Sequence, residues 1–497
     1  MSRQAGRFRL EEATIAGLHG AMKNKKLTCR QLVERYLDRI EAYDTSGPCL
    51  RSVIRVHPGA SEIADELDRK FRQSGFAGPL HGMPVLLKDN INTRDMETTG
   101  GSVSLRGYLP REDAFIVKRL RQAGAILLAK ANLHEFAIWG ETVSSILGQT
   151  LNPYDLKRTP GGSSGGTGAG LAANFGMVGV GTDTVNSIRS PASANSLVGI
   201  RPTLGLVSRA GIIPVSLTQD VAGPMARSVT DAVKMLNVMA GYDPADRDTA
   251  WNIGNVREDY TKYLDAKGLK GSRIGVLKTF FGTEFIHEEV NAVAKAAIRK
   301  IKELGAVLVP INHPALNADR IVSEISVHLY DLKGDLDRYL GDPGAKAPVK
   351  SLQEIISSGK YHPDVEENIK KAQALSQSDP EYRERLIRRM ELRKLVMSLM
   401  AEHRLDALVY PHQKRLVVPV GERQVDRNGV LGAVTGFPAI TVPGGFSRPT
   451  ESAPIGVPVG IEFLGRPWSE PILIRLAFSF EQAAGFRRPP LSVPPLS

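Results

Sequence analysis

The chain has 497 residues, 42% hydrophobic and 24% charged, with a formal net charge of +11, which excludes a disordered or collagen-like polymer and leaves room for a large core. Its Lys and Arg are interleaved with Asp and Glu, as across Glu381–Lys394, so the positive surplus reads as a mixed solvated surface and not as a phosphate-binding block. Two cysteines, Cys29 and Cys49, are too few for a disulfide framework or a Cys-rich zinc site.

The first nine residues hold no apolar leader run, and no run of about 18 apolar residues marks a spanning helix. These features predict a cytoplasmic protein without a nucleic-acid or membrane partner. Thr28 and Gln31 form a capping-box pattern that opens a helix to about Tyr43, with Leu32, Val33, Tyr36, Leu37 and Ile40 on one face. Met83–Leu87 is short and apolar, as a buried strand is; Phe115–Ala123 is amphipathic helix and Ala125–Ala129 a second strand. Small residues at Thr167–Asn174 predict a helix, followed by a strand at Met177–Gly181. A second round follows with strand Arg273–Leu277, helix His287–Leu304 and strand Ala306–Pro310. The charged stretch 317–404, with Glu324, Asp331, Asp335 and Asp337 early in it, reads as a helical insertion or cap. Strands at Asp406–Tyr410 and Gly436–Pro443 close the series. The alternation predicts an α/β fold, a sheet flanked by helices, and with no linker or repeat the expectation is one domain over 1–497.

The chemistry concentrates in three places. Gly162-Ser163-Ser164-Gly165-Gly166 matches G-x-S-x-G, the nucleophile elbow of α/β-hydrolases, but that elbow must follow a strand and Leu151–Pro160 is polar with two prolines. A phosphate loop needs Lys after the glycine, where this chain has Thr167. Ser187 stands in a second tight segment, Gly181-Thr182-Asp183-Thr184-Val185-Asn186-Ser187-Ile188-Arg189. Lys88 ends the apolar run Val85-Leu86-Leu87, a place suited to a buried base.

Together these segments resemble the amidase signature family of serine hydrolases. The resemblance runs through Gly82–Asn90, Ala125–Phe136, Pro160–Gly166, Gly181–Pro191, Gly199–Val207, Ala222–Asp231, Gly436–Gly445 and Gly456–Pro467 to the last helix around Phe478–Ala484, with its core at about 80–235. It implies a central twisted mixed β-sheet with helices on both faces. It also implies a Ser–cis-Ser–Lys triad: Ser187 as nucleophile, Ser163 as the bridging serine after a cis peptide bond, and Lys88 as base. The chemistry is coherent, because a serine hydroxyl needs a base and a second hydroxyl both accepts and donates a proton.

The same resemblance places the oxyanion hole in the backbone of Thr184, Val185, Asn186 and Ser187, with Ser164, Asp183 and Arg189 in support. The common family pattern has Gly-Gly where this chain has Val185-Asn186. Valine is poorly suited to positive φ, so the loop must use an ordinary conformation or strain, and the Asn186 amide offers an extra donor. Trp139, Tyr330, Tyr410 and His412 are the candidate pocket residues. Apolar and aromatic candidates outnumber charged ones, which predicts a neutral, hydrophobic or aryl amide, an anilide or a carbamate. No cofactor is expected, since the ten histidines show no metal-ligand spacing such as H-E-x-x-H, and the expected assembly is a monomer or homodimer. The alternative within the family is the glutaminase component of a tRNA-dependent amidotransferase.

Overall fold

In the computed structural model, which describes residues 9–496, eleven strands form one sheet. In chain order they are β1 (Val53–Val56), β2 (Pro84–Lys88), β3 (Ile126–Ala131), β4 (Val178–Asp183), β5 (Val198–Arg201), β6 (Val221–Ala226), β7 (Arg273–Leu277), β8 (Val307–Ile311), β9 (Ala407–Pro411), β10 (Ala439–Phe446) and β11 (Pro458–Leu464). Their order across the sheet is β1-β3-β2-β4-β6-β5-β10-β11-β9-β7-β8. β2 runs parallel to β3 and β4, and β7 runs parallel to β8 and β9. The remaining pairs are antiparallel, so the sheet is mixed.

The central strands are buried along their whole length, β2, β3, β4 and β6 among them. That is why they read as continuous apolar runs without alternation. The helices that flank them and matter for the site are α1 (Cys29–Ile40), α2 (Gly165–Ala172), α3 (Arg189–Ala194), α4 (His328–Leu340), α5 (Pro380–Glu402) and α6 (Val430–Thr435). The Thr28–Gln31 capping box is present at the start of α1. α2 is built of Gly, Ala, Thr and Leu because it has no room for more. A Cβ on Gly166 would stand 2.4 Å from the Asn132 backbone nitrogen.

The stretch 317–404 is mostly helical, and it packs on the rest through two separate apolar clusters. Leu332, Leu336 and Leu340 of α4 meet Phe136, Leu133 and Ile213. Leu392, Val396 and Met400 of α5 meet Leu408, Tyr410 and Leu431. The predicted strand 436–443 begins later than its apolar run suggested. Gly436 takes the left-handed conformation that ends α6, with φ +72, and β10 starts at Ala439. A glycine just past a helix terminates it without steric penalty.

Candidate active site

Three segments converge at the ends of β2 and β4. β2 delivers Lys88 into the interior, where it is fully buried. Its Nζ lies 2.7 Å from Ser163 Oγ and donates to Thr182 Oγ1 at 2.8 Å. Burial pulls the Lys88 ammonium down to about 7, against the opposing pull of the Asp183 and Asp220 carboxylates. Ser163 sits in the turn between β3 and α2. The Gly162–Ser163 peptide bond is cis and Gly161 has φ +70. Thr142 braces the turn: its hydroxyl donates to Gly161 O at 2.7 Å and accepts from Gly165 N at 3.1 Å.

The second loop, from the end of β4 to the start of α3, carries Ser187. None of Thr184, Val185, Asn186 and Ser187 has positive φ, so valine takes the place of the usual glycine in an ordinary backbone conformation. All four carbonyls of this loop are occupied. Thr184 O accepts from Gln219 Nε2 at 3.1 Å and Val185 O from Arg189 Nη2 at 2.8 Å. Asn186 O accepts from Ser190 N at 2.7 Å and Ser187 O from Ser164 N at 3.2 Å. Among the described residues, the four amide N–H groups donate to no protein acceptor. With the carbonyls engaged and these N–H groups without a protein acceptor, the loop keeps donors free for a developing oxyanion.

Under this loop lies a buried charge cluster. Asp183 accepts from Arg189 Nε and Nη2, both at 3.1 Å, from Arg201 Nη1 at 2.7 Å and from Ile188 N at 3.1 Å. Burial pushes the Asp183 carboxyl up, but the two guanidiniums outweigh it and hold it below the usual carboxylate range. Arg189 also reaches Glu462, which accepts from Tyr410 OH at 2.7 Å and pairs with His412 Nδ1 at 2.7 Å. Thr184, Val185, Asn186 and Ser187 open onto a cavity of about 510 Å³ whose walls include Trp139, Val215, Val322 and Tyr330.

Residues 31–474 match the family model for amidases. The chain belongs to the amidase family. It is a hydrolase of amides. A probable amidase of Arabidopsis thaliana is 37% identical over 98% of this chain and 93% of its own length. A glutamyl-tRNA(Gln) amidotransferase subunit of Thermoanaerobacter pseudethanolicus is 33% identical over 97% of this chain and 99% of its own. Among solved structures, the native peptide amidase from Stenotrophomonas maltophilia superposes with a TM-score of 0.87 at 39% identity, covering 97% of this chain and 98% of that one. An amidase family protein from Bacillus anthracis gives 0.84 at 33% identity, covering 97% and 92%.

In this amidase-family chain the structure brings Lys88, Ser163 and the Ser187 loop together, and seats Ser164, Asp183 and Arg189 directly around them. Ser164 Oγ donates to Thr182 O at 3.2 Å. Trp139 and Tyr330 line the cavity. Tyr410 does not: it is fully buried in the cluster beneath the loop, packed on Phe280 with its hydroxyl on Glu462. His412 is fully buried at the same carboxylate. Both belong to the scaffold and not to the wall. The sequence reading passed over Thr142, Arg201, Gln219, Asp220 and Glu462. The only signal for Gln219-Asp220 was their place within a few residues of the family segment that begins at Ala222.

Proposed function

We propose that the chain cleaves the C–N bond of neutral amides bearing an apolar or aryl group, anilides and carbamates included, through an acyl-enzyme on Ser187. The 2.7 Å approach of Lys88 Nζ to Ser163 Oγ, beside a nucleophile loop with free N–H groups, carries the reading. Ser187 Oγ gives its proton to Ser163 Oγ, whose own proton passes to neutral Lys88. The Ser187 oxygen bonds to the substrate carbonyl carbon, and the oxygen that becomes negative takes the N–H groups of the 184–187 loop. The lysine ammonium returns the proton through Ser163 to the departing nitrogen, and water then releases the acid by the same relay.

The neutral-substrate reading rests on the cavity. Most charged groups in its wall are already compensated, Arg385 by Glu381 at 2.9 Å, Asp319 by Lys414 at 2.6 Å and Asp426 by His287 at 3.3 Å, and the remaining Glu367 and Lys371 contribute one charge of each sign. Arg427 stacks over Trp139 at 4.5 Å with Glu141 3.8 Å away. A hydrolysis panel of p-nitroanilides, primary and peptide amides, esters and aryl carbamates tests it. If only charged substrates turn over, the reading falls.

Lys88 acts as a base only when neutral. Because its pKa is pulled down to about 7, the neutral fraction grows as pH rises through that value, whereas an ordinary lysine stays charged to above pH 10. The kcat/KM for an anilide, which reports the free enzyme, is therefore expected to climb roughly tenfold per pH unit below the midpoint and to level above it. Lys88→Ala is expected to remove that limb and to slow amides more than esters, since amine departure needs a proton. Equal losses on both substrate types would count against the relay. Asn186, buried and lining the cavity, supplies an added amide donor in this reading. Asn186→Ala should then lower kcat by roughly tenfold to a hundredfold; an unchanged rate removes that role.

The similarity to glutamyl-tRNA(Gln) amidotransferase subunits supports a second reading, a glutaminase working in a complex. Copurification of partner proteins together with glutamine hydrolysis would favour it over the first.

A further inference from the structure

The fully buried side chain of Gln219 stands between the Ser187 loop and the helical cap and bonds to both. Its Nε2 donates to Thr184 O at 3.1 Å. Its Oε1 accepts from Val327 N at 2.9 Å and Ser326 Oγ at 3.1 Å, just before α4. Its backbone is equally fixed, N donating to Ser216 O at 2.9 Å and O accepting from Arg201 Nη2 at 2.7 Å. The neighbouring Asp220 holds the same threonine from the other side, accepting from Thr184 Oγ1 at 2.6 Å. Asp220 also accepts from Val215 N at 2.9 Å and Ser216 N at 3.0 Å.

We infer that Gln219 is a positioning residue for hydrolysis: by holding the Thr184 carbonyl it aims the Val185 N–H at the oxyanion, and by holding the start of α4 it ties that aim to the docked cap. This rests on the acyl-enzyme reading above. The Thr184–Val185 peptide is trans, and in a trans peptide the C=O and N–H point opposite ways. A carbonyl drawn to Gln219 therefore turns the Val185 N–H to the far side. An oxyanion hole works by being set before the reaction, and a displacement of about 1 Å in such a site costs on the order of a hundredfold. A leucine or valine at this position would leave the Thr184 carbonyl, the Val327 amide and the Ser326 hydroxyl without their common partner. Glutamine is suited to the place because one amide both donates and accepts.

The experiment compares wild type, Gln219→Leu and Gln219→Glu. The glutamate keeps an acceptor for the cap and, once ionised, has no donor for Thr184. Because burial raises a carboxyl's pKa, the variants are compared on the alkaline side of the rate profile, where it isolates the loop contact, and it stands in if the leucine variant fails to fold. Both variants are expected to lose roughly 10- to 100-fold in kcat on an anilide, with KM within about threefold. Affinity for a boronic acid or trifluoromethyl ketone, which form tetrahedral adducts, should fall in step with kcat/KM, while a fluorophosphonate still labels Ser187. Unchanged kcat in Gln219→Glu, or a rise in KM alone, overturns the inference and leaves Gln219 a cap anchor. A wild type that releases amine from no amide and takes no label overturns the acyl-enzyme reading and this inference with it.

Discussion

Ser187→Ala is expected to lower kcat on any amide substrate by about 10⁴-fold or more, the scale on which loss of a serine nucleophile acts elsewhere, while leaving the melting temperature nearly unchanged. The size follows from the lack of a substitute. Ser163 Oγ is engaged with Lys88 at 2.7 Å, and Ser164 Oγ is hydrogen-bonded to Thr182 O at 3.2 Å. Neither is among the residues that line the cavity, whereas Ser187 is. The stability half of the expectation follows from the hydrogen bonds: the loop is held by backbone carbonyls, by Asp183 and by Arg189, and none of these contacts uses the Ser187 hydroxyl. Initial rates on a p-nitroanilide and a thermal melt measure the two parts, and intact-mass detection of a fluorophosphonate adduct checks that the nucleophile is gone. A variant that keeps a tenth of the rate, or still takes the label, would move the nucleophile elsewhere and remove the acyl-enzyme reading.

What could be read from the chain beforehand was what local patterning encodes. β2 is buried on both faces, so Val85-Leu86-Leu87 stands out as an apolar run and the lysine that ends it is conspicuous. The glycine run could be recognised because only small residues fit where α2 presses on Asn132. The capping box before α1 is a pattern of four consecutive residues and needed no tertiary information. The scaffold under the Ser187 loop is of a different kind. Arg201, Gln219, Asp220 and Glu462 reach Asp183, Thr184 and Arg189 only after β5, β6 and β11 have taken their places in the sheet, and lying in or beside a family segment does not say which of them makes the contact. Tyr410 shows the converse. An aromatic at a strand end beside a proline looks the same whether it faces a cavity or a buried carboxylate, and here the partner that decides is Glu462, on the neighbouring strand β11.

Asp183→Asn should be the most damaging conservative change near the site, costing about 3–5 kcal/mol of stability, the usual penalty for leaving a buried charge uncompensated. Asp183, Arg189 and Arg201 are all fully buried, and one carboxylate serves both guanidiniums. Arg189 would keep Glu462, but Arg201 would keep only carbonyl acceptors, on Asp183 and Gln219. Burial already pulls Arg201 down to about 10 with Asp183 in place. The pH dependence has a definite sign. The folded-state pKa of Asp183 lies below the usual carboxylate range, so its contribution is complete above the unfolded carboxylate pKa near 4 and is lost only as pH falls through the lower folded value. The gap in melting temperature between wild type and Asp183→Asn should therefore be constant from about pH 8 to 5 and close only in stronger acid. Because Asp183 also accepts from Ile188 N, next to Ser187, the variant should lose activity even where it remains folded. A melt within about one degree of wild type at pH 7 would mean that the arginines find other partners and that the cluster is not what fixes the loop.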